Sequence, residues 1–169
     1  GYINGMHSGS FNRLQVFASH FPGLGSADRN PDHEVSTVQK SIEDLLAGDL
    51  TPYLAVTGST EKGDLADGLV VSHLRLQDFQ GLASTRPISL DTEALTRLYS
   101  LEPLAAWRAQ GGLSISEDLG SSALRLFLDP VAQNYDAVGI ARQAFMAGND
   151  LLYLNHFKGV GDESEFETI

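Results

Sequence analysis

Four short apolar runs punctuate the chain: "LQVFAS" from Leu14, "GLVVS" from Gly68, "GLSIS" from Gly112 and "DLLYLN" from Asp150. Each is brief and almost continuously apolar, the pattern of a strand buried on both faces. The intervening stretches read as helices. "VSTVQKSIEDLLAG", residues 35–48, carries apolar residues near a period of 3.6 and closes on Gly48. "SLDTEALTRLYSLEPLAAWRAQGG" opens with a capping pattern at Ser89–Thr92 and closes on Gly111 and Gly112. "YDAVGIARQAFMAGN" predicts a third helix running directly into the last strand. Strand, crossover helix, strand is the signature of parallel βαβ units, so the pattern predicts an α/β fold with about four such units.

A polar or ionisable residue follows each apolar run. Ser19 and His20 follow the first, Ser72 and His73 the second, Glu117 and Asp118 the third, Asn155 and His156 the fourth. The C-terminal ends of parallel strands share one rim, so these groups are expected to converge on a polar pocket. The stretch after the first run, "ASHFPGLGSADRNPDHE", packs two histidines, two aspartates, two glycines and two prolines into residues 18–34. Glycine and proline at that density predict a loop.

Composition narrows the field. Of 169 residues 42% are hydrophobic, enough for one core. A net charge of −11, with no cluster of Lys or Arg, argues against a nucleic-acid partner. The absence of cysteine excludes disulfides and thiolate metal sites. No apolar run reaches the length of a membrane span. The chain opens on Gly1 and closes on the acidic "GDESEFETI", as expected of a piece cut from something longer.

Several chemistries compete for the rim. Three histidines, His20, His73 and His156, with the carboxylates, offer ligands for a metal-dependent hydrolase, although no H-x-H pair is present. A Ser-His-Asp hydrolase lacks its G-x-S-x-G turn, and "GLGSAD" lacks the lysine of a phosphate-binding loop. Glycosyl transfer to water fits better, because it needs one carboxylate nucleophile and one proton donor on opposite sides of a sugar. No cofactor is called for.

Four ordered blocks carry a family resemblance. "SHFPGLGSADRNPDH" resembles the K-H-F-P-G-H-G-D-T-x-x-D-S-H segment of family 3 glycoside hydrolases, particularly the bacterial β-N-acetylglucosaminidases. "GLVVSHLRLQDF" is similar to the V-M-T-A-H-V strand of that family. "STRPISLDTEALTRLYSLEPLAAWRAQGGLSISEDLG" resembles R-P-A-T-L-S-x-x-x-L…G-F-x-G-V-V-I-S-D-D-L, and "AFMAGNDLLYLNH" resembles A-L-x-A-G-A-D-L-L-L. The resemblance implies a TIM-type (β/α)8 barrel, with this chain as roughly its C-terminal half and the N-terminal half missing from it. It also implies a retaining hydrolase acting on a small carbohydrate or glycoconjugate.

Carried over by position, the resemblance puts the nucleophile on Glu117 with Asp118 beside it. The proton-delivering loop histidine becomes His33 with Asp32 as its carboxylate partner, on a flexible lid. Substrate contacts fall on Ser19, His20 and His73. The chain also departs from the family. Ser19 replaces a lysine, Leu24 replaces a histidine, D-x-H has become the adjacent pair Asp32-His33, and Glu117 replaces an aspartate. A homologue that binds sugar without cleaving it is the alternative those departures favour.

Overall fold

The computed structural model describes residues 1–80 and 85–158. Its centre is a parallel sheet of β1 (Phe17–Phe21), β3 (Gly68–Val71) and β5 (Leu113–Ser116), in that spatial order. Residues from the fourth apolar run extend it, through a single parallel bridge between Ile115 and Leu151. Three of the predicted segments form strands, the first of them at Phe17–Phe21, and the fourth joins them through one bridge residue, all parallel and in chain order.

Register fixes the two faces. Gly68 to Val71 pair one-to-one with Leu113 to Ser116, while a shift between Ala18 and Phe21 interrupts β1. Leu69, Val71, Ser114 and Ser116 are fully buried against helices, whereas Val70, Leu113 and Ile115 are only half-buried. The strands thus alternate with period two, and are not buried on both faces as their apolar runs suggested. Serines at 114 and 116 tolerate burial because hydrogen bonds satisfy them. Tyr99 donates to Ser114 Oγ at 2.9 Å, and the Tyr153 N–H donates to Ser116 Oγ at 3.1 Å.

Helices fill the crossovers. α1 (Tyr2–Gly9) precedes the sheet; α2 (Ile42–Ala47) and α3 (Thr51–Thr57) link β1 to β3. Between β3 and β5 lie α4 (Gln77–Gln80), α5 (Thr92–Tyr99) and α6 (Leu104–Ala109). α7 (Ser122–Leu128) and α8 (Ala137–Ala147) follow β5. One apolar cluster joins the sheet to α2, α3, α5 and α6 through residues such as Phe21, Leu69, Leu98 and Trp107. A second, built on Leu119, Leu124, Ile140 and Phe157, sits beneath α7 and α8.

Three helix expectations need correction. Residues 35–38 are not helical: Thr37–Val38 forms β2, which pairs in parallel with β4 (Arg75–Leu76). Its β-branched V-S-T-V run suits a strand, and the helix begins only after the Ser41 cap. The long helix predicted from Ser89 to Gly112 is two helices, parted at Glu102-Pro103, where the proline removes an N–H. Its cap is Asp91, which accepts from Ala94 N; Ser89 lies buried elsewhere. α8 matches its prediction, capped by Asp136 and closed by Gly148 at φ +114, a conformation natural to glycine.

Candidate functional site

Three strand ends bring Glu117 into contact with two histidines. Glu117 continues the alternation of β5 onto the half-buried face, and its own N–H donates to Val71 O at 2.9 Å. Its Oε2 accepts the backbone N–H of His73 at 2.9 Å. Its Oε1 lies 3.6 Å from His20 Nε2, an ion-pair contact once the ring is protonated. Both side chains reach solvent, so the group is accessible: 42% of the His20 side chain and 26% of the Glu117 side chain are exposed.

His20 is fixed from behind. Tyr53, buried on α3, donates its hydroxyl to His20 O at 2.8 Å, and desolvation pushes that phenol up to about 12, so it remains a donor. The next carbonyl, Phe21 O, accepts both the N–H and the Oγ–H of Ser72 at 2.9 Å. Ser19 is exposed beside them on β1.

Asp118 faces elsewhere. Its Oδ1 accepts backbone N–H groups of Gly120 at 2.9 Å and Asn155 at 3.0 Å, stitching the end of β5 to the fourth strand segment. The stitch is tight: a Cβ on Gly120 would lie 1.9 Å from Asn155 O, which leaves room only for glycine. Adjacent residues on an extended chain project oppositely, which separates the two carboxylates.

His73 is buried, and its ring is engaged on both sides. Nε2 lies 2.9 Å from Asp118 O, and Nδ1 lies 2.7 Å from Ser89 Oγ. Burial drives its pKa below the usual value of 6.5, outweighing the attraction of Glu117. Both ring nitrogens of His73, expected to contact sugar, face partners inside the protein. The three-histidine metal set does not assemble either: no cluster of three or more potential ligands occurs among the described residues. His156 is exposed, with its carbonyl accepting from Arg125.

The loop bearing Asp32 and His33 is braced at several points. Asp28 Oδ1 accepts the Thr37 N–H at 2.7 Å, Arg29 pairs with Glu34 at 2.5 Å, and Ser36 Oγ donates to Arg29 O at 2.8 Å. Ser122, at the start of α7, donates to Asp32 O at 3.1 Å. Asp32 and His33 are both exposed. Their side chains form no hydrogen bond or ion pair with each other or with Glu117 among the described residues. The expected Asp32–His33 dyad is thus not made. Sequence reasoning missed Tyr53, Ser89 and Asn149 as supports; Ser89 stood within a quoted block, where it was read as a helix cap.

A cavity of about 400 Å³ lies at the opposite ends of the strands, between Gln15, Lys62, Asp67 and Gly112. It is distant from Glu117 along the sheet and shares none of the rim residues.

No family model matches the sequence, and no curated protein is similar to it. The fold is that of part of the domain found in glycoside hydrolase family 3 structures. A fungal multi-domain family 3 β-N-acetylglucosaminidase with a GCN5-related glucosamine N-acetyltransferase region aligns over 90% of this chain at 19% identity, TM-score 0.70. A family 3 β-N-acetylglucosaminidase from Paenibacillus sp. aligns over 86% at 21% identity, TM-score 0.61. A family 3 glycosyl hydrolase from Mycobacterium smegmatis aligns over 87% at 24% identity, TM-score 0.60. The chain spans 16%, 24% and 41% of their respective lengths.

Proposed function

We propose that this chain is the C-terminal half of a family 3 (β/α)8 barrel and contributes the nucleophile of a retaining glycoside hydrolase. Its substrates are β-linked terminal sugars of the N-acetylglucosaminide class. The single observation carrying this reading is the Glu117 carboxylate, held at the ends of parallel strands between the His20 ring and the His73 N–H. Side-by-side parallel strands in chain order support the barrel, since a barrel needs that order.

In the first step Glu117 attacks the anomeric carbon, forming a glycosyl ester, while protonated His33 gives its proton to the departing oxygen. In the second, neutral His33 takes a proton from water, which displaces Glu117 and frees the sugar. Histidine suits both duties because its unperturbed pKa lies near neutrality. His33 must reach the rim for this, so residues 26–32 act as a lid that delivers it to the pocket on closure. Asp118 braces the strand ends instead of attacking. Glu in place of Asp extends the nucleophile by one C–C bond, about 1.5 Å, so the sugar sits farther from β5 than it would over aspartate.

The test is hydrolysis of 4-nitrophenyl N-acetyl-β-D-glucosaminide by the intact protein, following the product anomer by NMR. Release of the β-anomer first supports the reading; initial α-anomer, or turnover abolished by chelator, rejects it. One observation favours a second reading, sugar binding without cleavage: the Asp32 and His33 side chains are not paired. Saturable binding of N-acetylglucosamine without any turnover would select it.

A further inference from the structure

A chain of buried hydrogen bonds runs from α5 to the back of Glu117. Tyr99 donates to Ser114 Oγ at 2.9 Å, and Ser114 donates to Asn149 Oδ1 at 3.3 Å. The Asn149 amide then donates to two carbonyls, Ala144 O at 2.8 Å and Ser89 O at 2.9 Å. Ser89 Oγ meets His73 Nδ1, and His73 Nε2 meets Asp118 O. Ser89 and Ser114 are 0% exposed, Asn149 2% and His73 6%.

Donor and acceptor counting gives this chain one direction. A backbone carbonyl only accepts, so His73 Nε2 must carry a proton to reach Asp118 O. The ring, being buried, is neutral; Nδ1 is then bare and must accept the Ser89 hydroxyl. Ser89 is in place to donate because Asn149 holds its carbonyl, and Asn149 is oriented because its amide faces two carbonyls while Ser114 supplies its oxygen. Flipping the Asn149 amide, or moving the ring proton from Nε2 to Nδ1, would set acceptor against acceptor in a buried site. His73 grips the catalytic strand end twice: its backbone N–H holds Glu117 Oε2, and its ring holds the next carbonyl, Asp118 O.

We propose that Ser89 and Asn149 are positioning residues that lock His73 as its neutral Nε2–H form, and thereby fix the Glu117 carboxylate. Its catalytic half rests on the glycosidase reading; the lock itself does not. Ser89→Ala removes the donor to Nδ1, leaves that nitrogen unpaired in a buried site and frees the ring to rotate away from Asp118 O. Ser89→Thr keeps the hydroxyl.

The experiment is ¹⁵N NMR of the imidazole nitrogens in the full chain between pH 5.5 and 8, with turnover measured beside it. In the unaltered protein His73 is expected to show one neutral form, protonated at Nε2 throughout. Ser89→Ala should shift and broaden the His73 ring ¹⁵N signals and lower kcat by roughly tenfold to a hundredfold, with KM within twofold, as for a reacting group misplaced by a fraction of an ångström. Ser89→Thr should restore both. A His73 ring that titrates to imidazolium near pH 6.5, or is protonated at Nδ1, overturns the lock. So does a Ser89→Ala spectrum identical to the parent's. If Ser89→Ala does not fold, the titration of the unaltered protein decides alone. A locked ring in a protein with no turnover upholds the lock and removes the glycosidase reading.

Discussion

β3 has a histidine site at each end, and the two differ in charge. At its C-terminal end, His73 sits between a carbonyl and a hydroxyl, and burial lowers its pKa. At its N-terminal end, His7 of α1 sits between Gly63 O, 3.0 Å from Nδ1, and Asp67 Oδ2, 2.8 Å from Nε2. Both partners there only accept, so the surroundings favour a proton on each ring nitrogen of His7. Its pKa is raised, chiefly by the Asp67 hydrogen bond and then by the Gly63 carbonyl. The same Asp67 oxygen also accepts the Val16 N–H at 2.6 Å, tying α1 and the entry to β1 onto β3. The chemistry of the neighbouring atoms decides which histidine is charged. The entry end uses charge to dock a helix, and at the exit end burial disfavours charge on the His73 ring, leaving His20 as the ring beside the Glu117 carboxylate.

If the two ends divide labour in this way, the largest contrast is in turnover. Glu117→Gln should lower it by roughly a thousandfold or more, in the range of lost catalytic nucleophiles. His7→Gln should leave it within twofold; both are read on aryl N-acetylglucosaminides. Equal losses from both would erase the division.

Stability should show the opposite ranking. Asp67→Ala strands the His7 ring and the Val16 N–H together, at a cost of about 2 kcal/mol in a denaturant titration. A loss below about 0.5 kcal/mol would mean that the entry node holds little.

The two histidines also predict opposite pH slopes. His7, with its folded pKa raised, contributes most below its unfolded value near 6.5, and that contribution is lost as pH rises through the folded value. His73, with its folded pKa lowered, contributes fully above about 6.5, and that contribution is lost as pH falls towards the folded value. His7→Gln should therefore flatten the alkaline side of a plot of Tm against pH and spare the acid side. Flattening on the acid side would reverse the assignment.

The smallest effect belongs to Asp118. Asn retains the oxygen that accepts from Gly120 and Asn155, so Asp118→Asn should keep turnover within a few-fold and cost about 1 kcal/mol or less. A thousandfold loss would transfer the nucleophile's role to Asp118.

Much of the scaffold could be read from the chain. The apolar runs at Gly68 and Gly112 correspond to strands, and polar residues behind them do converge, because parallel neighbours put their C-terminal ends on one edge. Alternation within those strands was hidden, since Ser114 and Ser116 are buried polar residues whose partners, Tyr99 and Tyr153, lie far away in sequence. The V-S-T-V run was masked by the periodic helix that follows it. Spacing alone could not show that Asp118 turns to the backbone, because Gly120 and Asn155 come from different segments. Nor could it show that adjacent Asp32 and His33 fail to pair. Ser89 looked like a helix cap because Ser commonly is one; only the fold places it against His73.

The most direct test is covalent trapping. The intact protein would be incubated with an activated 5-fluoro N-acetylglucosaminyl donor, which forms the glycosyl ester faster than water removes it. The protein would then be digested and the label located by mass spectrometry. One sugar per molecule on Glu117, released in step with recovery of activity, is the predicted result. The same label on Asp118, or on any residue outside the strand-end rim, would contradict it.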